Sequence, residues 1–488
     1  MAKNLSILYV TSEVLPFIKV GGLADVSFSL PLALRDLGHD VRVMVPKYGS
    51  VSERKNKIHE INRLRDIPIP IDGKAQLATV KSSSINNPRA KCQAYITTSD
   101  KYFDAKKGIY TDVKTGKEYA DNDQRFAFFC RSVIETCLLL GWFPDVIHCN
   151  DWQSAIIPAY AKTLFPSQFA DTKFVFTIHN ISNNGQMSDS SFDMLGLPED
   201  AKEHFYHNGE VNYIKAGIHY ADFVTTVSEE YANQLEKDEE LTGGLNKVLN
   251  ENKKKFKGIL NGIDTWMWSP EKDAFLAKRY SNNFEDFKFF NKDKLFKEFD
   301  LETEYEKPML GMISRLSPQK GAELLLESLP DLLKEDLTVV MLAEGDSDMK
   351  KKFRALAKKN KNFAIQFGFD EEIAHLIEAG TDLFLIPSKV EPCGLNAFYS
   401  LAYGSIPIVS DTGGLSAIVK DVRNSKDGNG FLIKEHTKES LIESVKAALE
   451  LFKDKDAYEK LAKNNMAGDY SWAGSVEQYD EIYADLTK

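Results

Sequence analysis

The chain has 488 residues, 43% of them hydrophobic and 27% charged, so it is long enough for two globular domains rather than one core. Its formal net charge of −11 and its pI near 5.5 argue against a nucleic-acid-binding surface, so an anionic ligand would have to be held by a few local cations. The 5 cysteines contain no C-x-x-C pair, and no apolar run is long enough for a signal peptide or a membrane span, from which we expect a cytoplasmic protein without a membrane partner.

The first half of the sequence alternates apolar strand patterns with amphipathic helix patterns. In chain order we predict strand 7–10, helix 26–37, strands 41–46, 75–80 and 91–96, helix 125–140, strand 145–148, helix 154–164, and strands 173–179 and 222–228. Ser228 is placed to cap the helix that follows the last of these strands.

Residues 250–306 interrupt this alternation with a charged segment and the turn-rich segment NGIDTWMWSP, so we place a domain link at about residue 262. The alternation then resumes. In chain order we predict strand 309–314, helix 322–333, strand 338–343, helix 349–359, strand 363–367, helix 371–379, strand 382–387, helix 395–403 and strand 407–410. The expected domains are 1–262 and 263–463, followed by a further helix at about 464–488.

Apolar strands that alternate with helices indicate parallel sheets covered on both faces. The predicted fold class is therefore α/β, with two doubly wound, Rossmann-like domains. Ligands of such sheets bind beyond the carboxyl ends of the strands, and we expect a deep cleft between the domains where two such edges face each other.

The first candidate site is the segment KVGGLADV, which lies between the first strand and the first helix. Bare glycine amides at Gly21 and Gly22, with the cation of Lys19 beside them, could bind an anion at a helix N-terminus. The spacing is not G-x-G-x-x-G, so a dinucleotide site is weakly supported. An ordinary turn with a solvated lysine remains the alternative.

Two cations follow the first strand of the second domain in the segment SRLSPQKG. Arg315 and Lys320 lie five residues apart at a strand end, after Ser314. The planar guanidinium and the compact ammonium together suit a diphosphate. A solvated turn is the alternative.

The segment SKVEPCGLNAFYSLAYG follows another predicted strand. Its proline and glycine predict a tight turn that presents Glu391 at the strand end, and the amides of Cys393, Gly394 and Leu395 then open a new helix. A carboxylate beside bare amides can bind sugar hydroxyls, whereas a helix-capping turn is the structural alternative. The segment DTGGL, with Thr412 and Gly413, again places glycines between a strand and a helix.

Among the histidines, His179 in TIHN is the strongest catalytic candidate because it ends a predicted buried strand, although a core histidine with satisfied hydrogen bonds is equally compatible. His204 and His207 have a spacing that could bind metal, but no carboxylate or thiol pattern accompanies them, so we expect no metal site.

Taken in order, KVGGLADV, HCNDW, TIHN, NGIDTWMWSP, SRLSPQKG, EPCGLNAFYSLAYG, DTGGL and YSWAGSVEQY resemble segments of the bacterial and plant-type glycogen and starch synthases. The resemblance covers nearly the whole chain and implies the GT-B fold, with the helix at about 464–488 crossing back to the first domain. It implies a retaining hexosyltransferase that moves glucose from ADP-glucose to the nonreducing end of an α-1,4-glucan and releases ADP, with no metal or other cofactor.

The resemblance also implies residue roles. The implied catalytic residues are His179, Arg315, Lys320 and Glu391. The implied donor contacts are Lys19, Gly21, Gly22, Ser314, Phe369, Cys393, Gly394, Leu395, Asn396, Thr412 and Gly413. The implied acceptor or cleft residues are Asp151, Asn180 and Asn261.

Some positions depart from the family pattern. The segment ISNNGQ (181–186) replaces an apolar-aromatic pair followed by Gln-Gly, Asn150 and Gln153 stand where histidines are common, and Asn396 stands where threonine is usual. These departures leave open the acceptor preference and the choice between ADP-glucose and UDP-glucose. The sequence also leaves the oligomeric state open.

With no evident carboxylate nucleophile, we expect transfer on one face of the sugar, with the leaving phosphate helping to deprotonate the acceptor. The alternatives from other classes are a nicotinamide oxidoreductase, a nucleotide-sugar epimerase and a noncatalytic glucan-binding protein.

Overall fold

The computed structural model describes residues 4–182 and 185–488, which form two compact units. The first unit comprises the described residues up to Asn261 together with Trp472–Lys488. The second unit comprises Gly262–Ser471. Each unit contains its own sheet, which is mixed in the first unit and parallel throughout in the second.

The first unit follows a strand–helix alternation with a polar insertion after its second strand. Its elements are β1 (Ser6–Val10), α1 (Gly22–Asp36), β2 (Asp40–Pro46), β3 (His59–Glu60), β4 (Ile67–Ile71), β5 (Lys74–Asn86), β6 (Lys91–Thr98), α2 (Asn122–Leu140), β7 (Val146–Asn150), α3 (Ile157–Leu164), β8 (Lys173–Ile178), β9 (Gln186–Met187), β10 (Tyr206–His207), β11 (Glu210–Asn212), α4 (Tyr213–Tyr220), β12 (Phe223–Thr226), α5 (Glu229–Lys237), α6 (Glu239–Thr242), α7 (Leu245–Glu251) and β13 (Phe256–Gly258).

The main sheet of this unit has the strand order β13-β12-β8-β7-β1-β2-β6-β5-β3, and β4 pairs with β5. Pairing is parallel from β13 to β6 and antiparallel among β3, β4, β5 and β6. The chain reverses its direction of winding at β1, which has β2 on one side and β7 on the other. This is the switch point at which loops leave the sheet in opposite directions and open a crevice.

The second unit repeats the design with a parallel sheet of order β16-β15-β14-β17-β18-β19. Its elements are α8 (Phe284–Glu298), β14 (Met309–Leu316), α9 (Ala322–Leu332), β15 (Thr338–Gly345), α10 (Ser347–Lys359), β16 (Phe363–Phe367), α11 (Glu371–Gly380), β17 (Leu383–Ile386), α12 (Leu395–Ala402), β18 (Ile406–Ser410), α13 (Gly413–Ile418), β19 (Phe431–Ile433), α14 (Lys438–Lys453) and α15 (Lys455–Met466). Here the switch point lies between β14 and β17.

The end of the chain differs from the sequence prediction of one helix at about 464–488. Helix α15 ends at Met466, and a separate helix, α16 (Ala473–Leu486), belongs to the first unit. Between them, the Tyr470 carbonyl accepts a hydrogen bond from the Ile263 amide at 2.9 Å, which ties this connection to the start of the second unit. One aromatic and one acidic side chain of α16 then contact histidines of the first unit. Tyr483 contacts His148 at 2.7 Å and Asp480 contacts His39 at 3.1 Å.

Other differences from the predicted elements have local causes. Helix α1 begins at Gly22 rather than near residue 26, so the glycine pair lies at the helix start. Strand β4 was not predicted because IPIPI contains two prolines. Its isoleucines are buried while its prolines are exposed, as an edge strand that pairs on one side allows. Ser228 caps α5 as predicted, accepting from the Tyr231 amide at 3.1 Å.

Within residues 4–182 and 185–488, no helix is long and apolar enough to cross a membrane.

Helix α8 docks on the second sheet through a buried ion pair. Lys292 Nζ lies 2.9 Å from Asp382 Oδ2, and their side chains are 5% and 6% exposed. The same carboxylate oxygen accepts from the Met309 amide at 2.7 Å, and the ammonium also donates to two carbonyl oxygens. The pair therefore joins α8 to the starts of β14 and β17.

We expect Lys292→Met to lower the free energy of unfolding by about 3–5 kcal/mol, because it leaves Asp382 charged, buried and short of its cation. Urea unfolding at pH 7 measures the change. The matched control is Lys297→Met on the same helix, whose side chain is 70% exposed and pairs with Asp293 at 2.6 Å. That exposed pair should contribute less than about 1 kcal/mol. Equal losses in the two variants would contradict the assigned role of the buried pair.

Candidate active site

In the second unit, the loop after β14 packs against the end of β17. The chain turns through a short 3-10 helix, Pro318–Lys320, and Gly321 follows with φ +71°. A β-carbon at residue 321 would lie 2.0 Å from the Pro387 carbonyl oxygen, so only glycine allows this approach. The close contact brings the predicted cationic loop beside the predicted carboxylate turn.

Lys320 and Glu391 form the central contact of the candidate site in the second unit. Lys320 Nζ lies 2.6 Å from Glu391 Oε2, and Ser388 Oγ donates to the same oxygen at 2.9 Å. The two charged side chains are 20% and 11% exposed, so solvent reaches only part of the pair. By contrast, the Arg315 side chain is exposed and forms no ion pair with another residue in the described parts of the chain. The structure thus brings Lys320 into contact with Glu391, which the sequence places at the end of a different strand, and leaves Arg315 exposed at the end of β14.

The turn that carries Glu391 is shaped by glycine. Gly394 has φ +93°, and a β-carbon there would lie 2.5 Å from Leu415 Cδ2 and 3.5 Å from Glu391 Cγ. Helix α12 begins at the next residue, Leu395. The first amides of a helix have no partners within it, so this turn places donors beside the carboxylate.

The neighbouring predicted residues are held by backbone contacts. Asn396 Nδ2 donates to the Ile313 carbonyl at 3.0 Å, so this side chain is tied to β14. The loop with Thr412 and Gly413 lies against the carboxylate turn, because the Gly414 amide donates to the Glu391 carbonyl at 3.0 Å. Cys393 is buried in the same turn.

Phe369 and Ser314 lie at the margins of the candidate site in the second unit. Phe369 follows β16, at the edge of the sheet, and its ring is 64% exposed. Ser314 lies in the last residues of β14, and its hydroxyl donates to the Arg315 carbonyl at 3.1 Å.

In the first unit, the glycine turn is occupied by the protein's own carboxylate. Glu13 Oε2 accepts from the Val20 amide at 2.6 Å and from the Gly21 amide at 3.0 Å, while Tyr110 donates to Oε1 at 3.2 Å. Burial raises the pKa of Glu13 to about 7, opposed by these hydrogen bonds. The Gly21 amide, which the sequence suggested as a donor to an external anion, is thus bonded within the turn. Gly22 opens helix α1.

Lys19 also has an internal partner. Its ammonium lies 2.9 Å from Asp25 Oδ1, in the first turn of α1, and both side chains are largely buried. Sequence reasoning missed Asp25, Glu13 and Tyr110. Only Asp25 had a sequence signal, because an acidic residue in the first turn of a helix is stabilised by the helix dipole.

A second cluster forms where β7 and β8 end. Asp151, with φ +56°, accepts from the His179 amide at 2.7 Å, and burial raises its pKa to about 7. His179 Nε2 lies 2.9 Å from Asn150 Oδ1, and burial lowers the pKa of the imidazole to about 3. Asn180 lies next to them, with its amide nitrogen 3.4 Å from Asp151 Oδ1. The structure therefore brings Asp151, His179 and Asn180 together where β7 and β8 end.

The remaining candidate residues form no hydrogen bond with the clusters described above in the described parts of the chain. Asn261 is 3% exposed, and its Oδ1 has no hydrogen-bond partner within the described residues. His204 stacks on His219 with ring centroids 3.6 Å apart, and His207 contacts the Gly243 carbonyl at 2.7 Å, so the two histidines have different partners.

The structure describes part of the segment 181–186, which differs from the pattern expected from the resemblance. Asn183 and Asn184 lie outside the described residues. Gly185 has φ +63°, and a β-carbon there would lie 2.6 Å from Trp152 Cβ. Gly185 therefore packs against Trp152, just beyond the end of β7.

Comparisons with known proteins match both units. Residues 6–251 match the family described as starch synthase catalytic domain, and residues 293–466 match the family described as glycosyl transferases group 1.

Two relatives and one solved structure extend the match to the whole chain. The glycogen synthase of Chlorobium phaeobacteroides is 36% identical over 488 residues, with 99% of each chain covered. That of Koribacter versatilis is 39% identical, with 98% of each chain covered. The catalytic domain of starch synthase IV from Arabidopsis thaliana, solved with ADP and acarbose, is 29% identical, covers 99% of this chain and 100% of its own, and has a TM-score of 0.91. The resemblance and the α/β fold class of two Rossmann-like domains are confirmed, and the chain belongs to the GT-B family of glycogen and starch synthases.

Proposed function

We propose that the chain is a glycogen synthase that transfers glucose from ADP-glucose to the nonreducing end of an α-1,4-glucan, with retention of the anomeric configuration and release of ADP. The observation that carries the proposal is the contact of Lys320 with Glu391 at the switch point of the second sheet. It places a cation for phosphate and a carboxylate for sugar hydroxyls side by side. The glycogen synthase relatives and the starch synthase solved with ADP support the same assignment.

In this proposal, the second unit binds the donor. Arg315 is exposed and Lys320 lies at the same strand end, so together they offer two cations to a diphosphate. The Glu391 carboxylate and the first amides of α12 bind glucose hydroxyls and a phosphate oxygen, with Cys393, Gly394, Leu395, Asn396, Thr412 and Gly413 around them. Phe369 stacks on the base, a contact that adenine and uracil allow equally.

The chemical step breaks the bond between the anomeric carbon and the diphosphate oxygen. Negative charge builds on the leaving phosphate, and fixed cations lower the energy of that charge more than mobile water would. The acceptor hydroxyl attacks on the face from which ADP leaves, and its proton passes to the leaving phosphate oxygen. His179, with Asp151, Asn180 and Asn261, contacts the sugars, and the His179 carbonyl lies by the anomeric carbon.

The first-unit turn with Lys19 and Gly22 contributes to donor binding through its shape. Because Glu13 takes the Val20 and Gly21 amides, the carboxylate holds the turn in place, and Asp25 fixes the Lys19 ammonium. We assign Glu13 as a positioning residue of this turn.

The donor assignment is tested by incubating the purified chain with glycogen and either ADP-[14C]glucose or UDP-[14C]glucose, then measuring radiolabel in the polymer and nucleoside diphosphate released. We expect incorporation from ADP-glucose that is abolished by removing glycogen. Faster transfer from UDP-glucose would overturn the choice of base. If neither glucose incorporation nor ADP release is detected, the enzymatic function is overturned and a noncatalytic glucan-binding protein is favoured.

Lys320→Ala and Arg315→Ala should each lower kcat by about 10²–10³, because each removes a fixed charge that stabilises the leaving diphosphate. Initial rates with saturating ADP-glucose measure the effect. Lys351→Ala is the control, since it removes a 72% exposed lysine on α10 of the same unit. If both site variants turn over like the control, the diphosphate assignment is wrong.

The pKa of Glu13 predicts a pH-dependent stability. Its folded pKa of about 7 exceeds the ordinary value of 4.5, so the folded chain holds this proton over a pH range in which the unfolded chain has lost it. Stability therefore falls as pH rises from about 4.5 through about 7, by about 1–3 kcal/mol. Glu13→Gln keeps an oxygen acceptor for the two amides but cannot titrate.

We therefore expect wild type to lose about 1–3 kcal/mol relative to Glu13→Gln between pH 5 and pH 8, measured by urea unfolding at each pH. Asp171→Asn, which removes an exposed carboxyl from the same unit, is the matched control for loss of one charge. Parallel pH profiles for wild type and Glu13→Gln would show that Glu13 titrates normally.

A further inference from the structure

The orientation of the Asn150 amide is determined by its surroundings. This residue ends β7 and is 0% exposed. Its Nδ2 donates to the Val10 carbonyl at 3.0 Å and to the His148 carbonyl at 3.3 Å. Because both carbonyls can only accept, the NH2 group must face them, and Oδ1 must face His179 Nε2, 2.9 Å away.

An amide oxygen has no hydrogen to donate, so the hydrogen in this contact belongs to His179 Nε2. In a neutral imidazole the other nitrogen, Nδ1, then carries a lone pair. The Nε2 edge of His179 lies against the fully buried Asn150 side chain, so Nδ1 lies on the opposite edge of the ring.

We propose that Asn150 is a positioning residue that holds His179 in the Nε2–H tautomer and so leaves Nδ1 as a hydrogen-bond acceptor for a substrate hydroxyl. The inference deepens the proposed function, on which its catalytic consequence depends. It assigns to His179 the task of accepting a hydrogen bond, and not of delivering a proton to the leaving group.

The titratable neighbours of His179 are consistent with this state. Asp151 contacts its backbone amide through Oδ1 at 2.7 Å. His148, on the same strand as Asn150, contacts the Tyr483 and Thr177 hydroxyls at 2.7 and 2.6 Å, and burial lowers its pKa to about 3. Both histidines are thus neutral at pH 7, and within residues 4–182 and 185–488 no ammonium or guanidinium group donates to the Asn150 oxygen.

Asparagine at position 150 is one of the departures from the pattern that the resemblance leads us to expect, in which this position is a histidine. An imidazole can either donate or accept, whereas an oriented amide oxygen can only accept. With Asn150, only His179 can donate the hydrogen in this contact, whereas in a pair of histidines either ring could donate it.

The test reads the tautomer directly. In the full chain labelled with [15N]histidine, long-range 1H–15N spectra distinguish a protonated from an unprotonated ring nitrogen, and His179→Gln identifies the signals of His179. We expect protonated Nε2 and unprotonated Nδ1, unchanged from pH 8 to pH 5. A wild-type spectrum with the hydrogen on Nδ1, or an imidazolium at pH 6, overturns the proposal.

Two variants test the dependence on residue 150. Asn150→Ala removes the acceptor, so both tautomers should be populated and kcat should fall about 10–100-fold, as for a misplaced catalytic contact. Asn150→Asp keeps an acceptor but adds a negative charge, so the His179 pKa should rise and an acid limb should enter the pH profile of kcat. Asn250→Ala on α7, which removes an exposed side chain that donates to the Glu236 carbonyl, is the control.

The outcomes separate this inference from the proposed function. A wild-type Nε2–H tautomer that becomes mixed in Asn150→Ala supports the inference even if the chain transfers no glucose, in which case the proposed function fails alone. An unchanged tautomer in Asn150→Ala, with active wild type, overturns the inference alone. If Asn150→Ala does not fold, the wild-type spectrum and Asn150→Asp still decide it.

Discussion

The contact between Lys320 and Glu391 is the interaction on which the candidate site of the second unit depends. It joins loops from β14 and β17, the two strands at which the sheet changes its direction of winding. The contact needs glycine at Gly321 and Gly394, because a side chain at either would collide with the neighbouring loop. The close approach of the two loops, which the glycines allow, is therefore also what places the cation beside the carboxylate.

In the first unit, internal contacts also hold the loops at the strand ends in place. Its switch point lies at β1 and β7, and the loops there carry the glycine turn and Asp151. Instead of leaving bare amides for a ligand, the chain folds Glu13 into the turn, where burial raises the carboxyl pKa. In the proposed function, these buried side chains hold the substrate-binding groups in place, so that the site does not reorganise during reaction.

The sequence predicted the strand-end motifs well, because parallel strands buried on both faces have continuous apolar runs and their loops must meet at one edge. Arg315, Lys320 and Glu391 follow from that rule. The partners Glu13, Asp25 and Asn150 do not, since which carboxylate or amide reaches a turn depends on packing between distant segments. Strand β4 and the division of the last predicted helix were missed for local reasons, namely prolines at an edge and a short break after Met466. The residue roles implied by the resemblance and the domain limits predicted from the sequence pattern remain predictions.

A crystal structure of this chain with bound ADP tests the central claim most directly. The account predicts that the diphosphate lies at the carboxyl ends of β14 and β17, with phosphate oxygens within about 3 Å of both Lys320 Nζ and the Arg315 guanidinium. A diphosphate bound away from these strand ends, with the Lys320–Glu391 contact undisturbed and Arg315 in solvent, would contradict it.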